Sequence, residues 1–189
     1  MLSHITVLIL GIIEEKPVNP YEIKKLLDRI QIRKWMPVAV SSVYGTVREL
    51  SRKGYCEGMP EKDGNMPEKT VYTITEAGRT ALHQSLREYM GSTDLDRKKF
   101  QVSALLLCHI ERTEAIGILK EKCAMLTETA ARLDSMAKNM RGRVPYTGQA
   151  MVTHELAYTR AEKESTNLLL EGIKQDEKWD YFVSKDLNS

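Results

Sequence analysis

The second half of the chain contains a regular apolar repeat that strongly restricts its fold. Eight apolar or small residues alternate at intervals of three and four: Ile116, Leu119, Cys123, Leu126, Ala130, Leu133, Ala137 and Met140. This spacing predicts one long helix that packs along another helix. The partner helix could belong to the same chain or to a second copy. We favour a second copy, because the rest of this half offers the long helix few partners.

The sequence therefore predicts a homodimer interface in the second half. Its candidate residues are five positions of the repeat and one aromatic residue of the C-terminal tail: Ile116, Leu119, Cys123, Leu126, Leu133 and Trp179. Cys123 is interpreted as a small core residue. Trp179 stands in a charged tail with Tyr181 and Phe182, and we favour docking on the partner subunit over an effector cavity, because a lone tail does not form a pocket.

The first half predicts shorter elements in the order helix, helix, helix, hairpin, helix. Asn19, Pro20 and Glu22 have the spacing of a capped helix start, and Ser41-Ser42 begins a third helix that Gly54 ends. Residues 55–59 and 70–74 read as strands, and Thr75 caps the helix that follows. This is the layout of a winged helix-turn-helix. We expect a mainly α fold with a small β-hairpin wing, divided into a DNA-binding domain (1–91) and a helical dimerisation domain (92–189).

Positive charge is concentrated in the two helices before the wing. Between Pro20 and Gly54 there are eight basic and three acidic residues, a local balance of +5, while the whole chain carries only +2. Basic side chains on exposed helix faces often serve solubility alone. Here they coincide with the helix pair that a winged module presents to DNA, which favours contact with the phosphate backbone.

Composition and motifs argue against an enzyme, a metal site or a membrane protein. The chain shows no GxGxxG, Walker lysine loop, HExxH or GxSxG motif, and we expect no cofactor. Neighbouring helix residues point about 100° apart, so Cys108 and His109 are not expected to share a metal ion. The run Ile5–Ile13 is too short to span a membrane. Three widely spaced cysteines fit a reducing cytoplasm, where we place the protein.

The residues of the first half, taken in order, resemble the PadR family of transcriptional regulators. The resemblance rests on Asn19-Pro20-Tyr21-Glu22-Ile23-Lys24-Lys25, Ser41-Ser42-Val43-Tyr44, Leu50, Lys53-Gly54-Tyr55 and Val71-Tyr72-Thr73-Ile74-Thr75-Glu76-Ala77-Gly78. It covers roughly the first 80 residues, and the long second half is similar to the branch with several C-terminal helices. Two positions depart from the pattern: Pro20 replaces a glycine, and the wing carries acids that offset Lys62 and Lys69.

The resemblance implies a homodimeric repressor that binds a palindromic operator in double-stranded DNA and is released by a small aromatic effector. The candidate DNA-binding residues are Tyr21, Lys24, Lys25, Ser41, Ser42, Tyr44, Thr46, Arg48, Arg52, Lys53 and Lys69. Arg48 is the first choice for a base or phosphate contact, and Tyr44 could equally pack against the second helix. One alternative is a winged-helix protein-interaction module. A more remote one is an enzyme that uses the winged helix only to dimerise.

Overall fold

The computed structural model describes residues 2–34, 36, 40–62, 68–175 and 179, apart from the side chains of Val40 and Ser41. These residues form seven α-helices, two short 3-10 turns and one two-stranded antiparallel hairpin, which confirms the predicted fold class. The chain divides into two compact units, with the boundary between Leu86 and Arg87. This boundary falls inside a helix, Glu76–Gly91.

Helix α1 (His4–Glu15) forms the centre of the first unit. Seven consecutive residues from Val7 to Ile13 are buried, as expected for a helix that is apolar on every side. The Ser3 hydroxyl accepts a hydrogen bond from the Thr6 amide at 3.3 Å and so caps the start. Helix α1 packs against the third helix and the second strand, which hold it inside the unit.

Helix α2 (Pro20–Arg29) begins with the capping box that the sequence predicts. The Asn19 side chain accepts from the Glu22 amide at 3.0 Å, and the Glu22 carboxylate accepts from the Asn19 amide at 3.2 Å. Ile23 and Leu27 are buried on the inner face. A 3-10 turn (Ile32–Lys34) follows the helix. The capping box therefore defines where α2 begins.

Replacing Asn19 by alanine is expected to lower the free energy of unfolding by about 1 kcal/mol. The substitution leaves the Glu22 amide without its side-chain partner, and Asn19 is only 7% exposed, so water reaches this amide poorly. Urea denaturation followed by circular dichroism measures the effect. As a matched control, Asn139→Ala removes an exposed asparagine from inside a helix and should change stability by less than about 0.5 kcal/mol. Equal stability of the two variants would contradict the capping role.

Helix α3 (Val40–Arg52) packs inward through Val43, Val47 and Leu50, the predicted stripe. Two residues after the last helical residue, Gly54 has a φ of 74°, in the left-handed region. The Gly54 amide donates to the Ser51 carbonyl and the Tyr55 amide to the Leu50 carbonyl, each at 2.9 Å. These two bonds form a Schellman ending, which satisfies the last carbonyls of the helix.

Strands β1 (Cys56–Glu61) and β2 (Lys69–Ile74) pair from Cys56 with Ile74 to Glu61 with Lys69. Both are longer than the sequence predicted, because the pairing continues through Pro60 and Glu61. The tip at 63–67 lies outside the described residues. Strand β2 also pairs with Val18, through bonds of 2.9 and 3.1 Å between Val18 and Tyr72. The wing is thereby fastened to the residue that precedes the cap of α2.

Helix α4 (Glu76–Gly91) starts where Thr75 joins two elements. Its hydroxyl donates to the Gly54 carbonyl at 2.7 Å and accepts from the Gly78 amide at 3.1 Å. A Cβ on Gly78 would lie 2.0 Å from the Tyr55 carbonyl oxygen, so the close contact requires glycine. Leu82, Leu86 and Tyr89 are buried as predicted.

The second unit consists of helix α5 (Arg97–Leu105), a 3-10 turn (Leu107–His109) and two long helices, α6 (Arg112–Met140) and α7 (Tyr146–Gln175). Helices α6 and α7 pack along each other within one chain. Our reason for preferring a second copy, that α6 lacks a partner in its own chain, is therefore wrong. Leu119 and Leu126 are each only 2% exposed inside one protomer, whereas Ile116, Cys123, Leu133 and Trp179 are half-buried.

The contact between α6 and α7 is unusually polar at its centre. Lys122 is 2% exposed, and its Nζ lies 2.8 Å from an Oε1 of Glu162, which is 8% exposed. The ammonium also lies 5.3 Å from the centre of the Phe100 ring. Thr159 and Thr166, both fully buried, donate to carbonyls of their own helix. The repeat predicted an apolar contact, and Lys122 was missed because charged residues seldom occupy such positions.

At one end of this helix pair, Arg112 holds the last turn of α7. Its Nε and Nη2 donate to the Ile173 carbonyl at 2.9 and 2.7 Å, and Nη2 donates to the Lys174 carbonyl at 3.2 Å. The last carbonyls of a helix lack partners within the helix and carry partial negative charge. A guanidinium is well matched to them, so Arg112 serves as a cap supplied by the neighbouring helix.

The cysteines form no disulfide. Burial raises the pKa of the Cys56 thiol to about 11, so this group stays protonated at neutral pH. Cys123 is half-buried rather than in the core, and its thiol donates to the Asn167 Oδ1 at 3.0 Å. Cys108 and His109 both lie in a 3-10 turn, and their possible ligand atoms lie within 4.8 Å of each other. Among the described helices, none is long and apolar enough to cross a membrane.

Candidate nucleic-acid interface

The outward face of α3 exposes an aromatic and a basic side chain one turn apart. Tyr44 is 44% exposed, so it is not buried against α2, which was the alternative left open by the sequence. Arg48 is exposed, and its Nε donates to the Tyr44 carbonyl at 3.4 Å, a long and weak hydrogen bond. Among the described residues Arg48 forms no ion pair. Its guanidinium can therefore turn toward a ligand at little cost.

Near the end of α3, one acid engages the next two basic residues. The Glu49 carboxylate accepts from Nη2 and Nε of Arg52 at 2.8 and 3.0 Å and lies 3.3 Å from the Lys53 Nζ. The hydrogen bond from Arg52 is the largest cause that lowers the pKa of Glu49 to about 2. The pairing is thus complete above the ordinary pKa of a glutamate and is lost only as the pH falls toward 2. Arg52 and Lys53 reach solvent already partly neutralised.

Helix α2 contributes a second set of basic side chains. Lys25 is exposed, Lys24 is half-buried, and neither forms an ion pair with any described residue. Tyr21, in the first turn, is 63% exposed. Further along, Arg33 is bound to Asp28 at 2.9 Å. The described cations of this surface that form no ion pair with a described residue are Lys24, Lys25 and Arg29 on α2, Lys34 in the 3-10 turn and Arg48 on α3.

The described part of the wing carries a small excess of acidic side chains. Lys69 lies 3.7 Å from a Glu61 carboxylate oxygen across the two strands, and Glu57 and Glu68 are exposed beside this pair. Met59 is 68% exposed on the same strand as Glu61. An acidic surface repels phosphate. Lys69 is consequently a weaker candidate for a DNA contact than the residues of α2 and α3.

The remaining candidates lie on α3 but are less exposed. Ser42 and Thr46 are half-buried, and the side chain of Ser41 lies outside the described residues. Sequence reasoning missed Glu49, although its spacing of three and four residues from Arg52 and Lys53 is that of helical ion pairs. It also passed over Gly45, an exposed glycine in the middle of the same face. No described residue of this surface suggests a nucleophile or a metal ligand set, so its chemistry is that of charge and shape.

Comparison with protein families gives a match in this part of the chain. Residues 9–84 match the model of the family described as transcriptional regulator PadR-like. A curated relative, the negative transcriptional regulator PadR of Bacillus subtilis (strain 168), is 22% identical over 114 residues, which are 60% of this chain. The match spans 62% of the length of that relative.

Similar solved structures include proteins of Bacillus subtilis and Streptococcus mutans. One is Bacillus subtilis PadR in complex with operator DNA, with 18% identity, coverage of 89% of this chain and 98% of that chain, and a TM-score of 0.43. Another is smu.1604c from Streptococcus mutans UA159, with 21% identity, coverage of 88% and 98%, and a TM-score of 0.40. The family match itself covers the surface formed by α2, α3 and the wing.

Proposed function

We propose that this chain is a PadR-like repressor that binds a palindromic operator as a homodimer. The match of residues 9–84 to the model of the transcriptional regulator PadR-like family supports the proposal. The observation that carries the proposal is the outward face of α3, with Tyr44 exposed and Arg48 unengaged by any described acid. A helix in the major groove reads base edges through such side chains. Lys24 and Lys25 on α2 would add contacts to phosphate, which strengthen binding without reading sequence.

A second copy is required to read two half-sites. Two recognition helices bind a palindrome when they lie about 34 Å apart, one turn of DNA. The second unit has apolar surface left over for such a contact, since Ala157, Ala161 and Leu168 are exposed at helical spacing along α7. Met125 and Met136 are likewise exposed on α6. We propose that the dimer contact uses these outer faces and the half-buried Ile116, Cys123 and Leu133 more than the buried Leu119 and Leu126.

The proposal includes release from DNA by a small aromatic effector. Its support is family membership alone. One solved structure similar to this chain is Bacillus subtilis PadR in complex with p-coumaric acid, at 16% identity and a TM-score of 0.40. p-Coumaric acid is therefore a reasonable first probe. Loss of operator binding on its addition, with an unchanged dimer, would support the effector role.

Fluorescence anisotropy of labelled duplexes tests operator binding. We would select duplexes from a randomised library, include the DNA upstream of the protein's own gene, and compare each with a scrambled duplex over a salt series. The proposal predicts a preference of roughly a thousandfold and a steep fall of affinity with salt. Size-exclusion chromatography with light scattering reports the dimer. Weak binding to every duplex without salt dependence would contradict the proposal and favour the protein-interaction module.

Replacing Glu49 by glutamine is expected to strengthen DNA binding. The change frees Arg52 and Lys53 from their common partner, so two more cations become available to phosphate. Affinity should rise about threefold to tenfold at low salt, and the plot of log affinity against log salt should steepen by about 1 to 2. Anisotropy over the same salt series measures both quantities. Glu121→Gln, an exposed acid of α6, is the control, and equal behaviour of the two variants would place Arg52 and Lys53 away from the DNA.

A further inference from the structure

Gly45 lies at the centre of the outward face of α3, between Tyr44 and Arg48, and the interior of the protein does not account for it. The residue is exposed. A Cβ built on it would have no atom of a described residue within 4 Å, apart from its own helix backbone and chain neighbours. Its backbone is not in the left-handed region, in contrast to Gly54. Neither internal space nor backbone conformation therefore requires glycine at this position.

Other glycines of the same unit have an evident reason. Gly78 allows the Tyr55 carbonyl to approach, and Gly54 adopts the positive φ that ends α3. A glycine inside an exposed helix stabilises the fold less than alanine does, because it loses more backbone freedom on folding and contributes no side chain. The stability of the fold alone would favour alanine at position 45. This indicates that glycine at position 45 serves an interaction with another molecule.

We propose that Gly45 is the point where the α3 backbone comes closest to DNA, so that its missing side chain sets how deeply the helix enters the major groove. Glycine is the residue that permits a close approach of backbone to a ligand. The neighbouring side chains fit this geometry, because Tyr44 and Arg48 lie one helical turn apart, both beside Gly45, and can reach DNA only if the helix lies near it. The inference rests on the proposed function and adds a positioning residue to that site.

The test compares Gly45→Ala and Gly45→Leu with the unaltered protein, using the operator selected above. Both residues are good helix formers, so the midpoint of thermal unfolding should stay the same or rise by about 2–4 °C. Operator affinity should fall about tenfold for alanine and about a hundredfold for leucine, because each added group holds the helix away from the groove. Thr80→Ala is the control. Thr80 is exposed on α4, a helix that belongs neither to the candidate interface nor to the proposed dimer contact, and its replacement should leave operator affinity unchanged.

Each outcome either supports or overturns the close approach of Gly45 to DNA. A graded loss of operator affinity without loss of stability supports the close approach. Equal affinity of all Gly45 variants overturns it, and so does an equal loss for alanine and leucine, since removal of glycine flexibility rather than bulk would then be the cause. If the unaltered protein prefers no duplex, the proposed function and this inference fail together. If it discriminates and the Gly45 variants match it, only the inference fails.

Discussion

Replacing Lys122 by methionine is expected to destabilise the second unit by about 3–5 kcal/mol. The substitution keeps the length and apolar stem of the side chain but leaves the Glu162 carboxylate, which is 8% exposed, without its cation. Water cannot readily reach that carboxylate, and charge buried without a partner is costly. Urea denaturation followed by circular dichroism measures the loss, and separate transitions of the two units would assign it to the second.

Two further variants separate the cost of broken pairing from the value of the pair. The double substitution Lys122→Met with Glu162→Leu removes both charges, and we expect it to recover most of the lost stability or to exceed the original. Lys120→Met changes an exposed lysine of the same helix and should alter stability by less than about 0.5 kcal/mol. A single variant no less stable than Lys120→Met would show that Lys122 and Glu162 are solvated in solution.

The second large effect is expected at Arg48. Its replacement by alanine should weaken operator binding by about 1–3 kcal/mol, which is roughly 5- to 150-fold. Arg48 is exposed on the outward face of α3, with only a long hydrogen bond to the Tyr44 carbonyl to give up on binding. Anisotropy with the operator and with variants changed at single base pairs measures the loss. A contact to a base would relax the preference at one position, whereas a contact to phosphate would weaken all duplexes alike and lower the salt slope by about 1.

Arg52→Ala is the matched control for this prediction. Arg52 is one turn further along the same helix, yet its Nε and Nη2 are both bound to Glu49. Its removal should therefore reduce operator affinity less than removal of Arg48 does. Equal losses would mean that the ion pair opens on the DNA, and no loss from Arg48→Ala would remove the main support for direct reading by α3.

Most elements of the first unit could be predicted from short-range sequence signals. The capping box at Asn19 and Glu22, the glycine ending at Gly54 and the cap at Thr75 all depend on neighbours within a few residues, and all three occur as predicted. The extent of the hairpin did not follow from sequence. Pro60 reads as a turn residue, but the pairing of Glu61 with Lys69 extends the strands beyond it.

The second unit was harder to predict, because its key contacts join distant residues. The spacing from Ile116 to Met140 correctly indicates one long helix, but spacing on one helix does not say which helix faces it. The buried stripe of α6 passes through Lys122, and that of α7 through Glu162 and two threonines. Each stripe contains polar residues that would not be expected to be buried. The contact between Lys122 and Glu162 explains why these two charged side chains are buried. In the candidate interface, likewise, an ion pair distinguishes Arg52 from Arg48: both are exposed, but only Arg52 is bound to Glu49.

The cap that Arg112 places on α7 also restricts how the length of this unit can change. Helices α6 and α7 have 29 and 30 residues, are joined by a short turn after Gly142 at one end, and are held by Arg112 at the other. The Lys122–Glu162 pair fixes their alignment between these points. An insertion of one residue in either helix would rotate everything beyond it by about 100° and separate these partners. Related chains that keep these contacts should therefore lengthen or shorten both helices together, by whole turns.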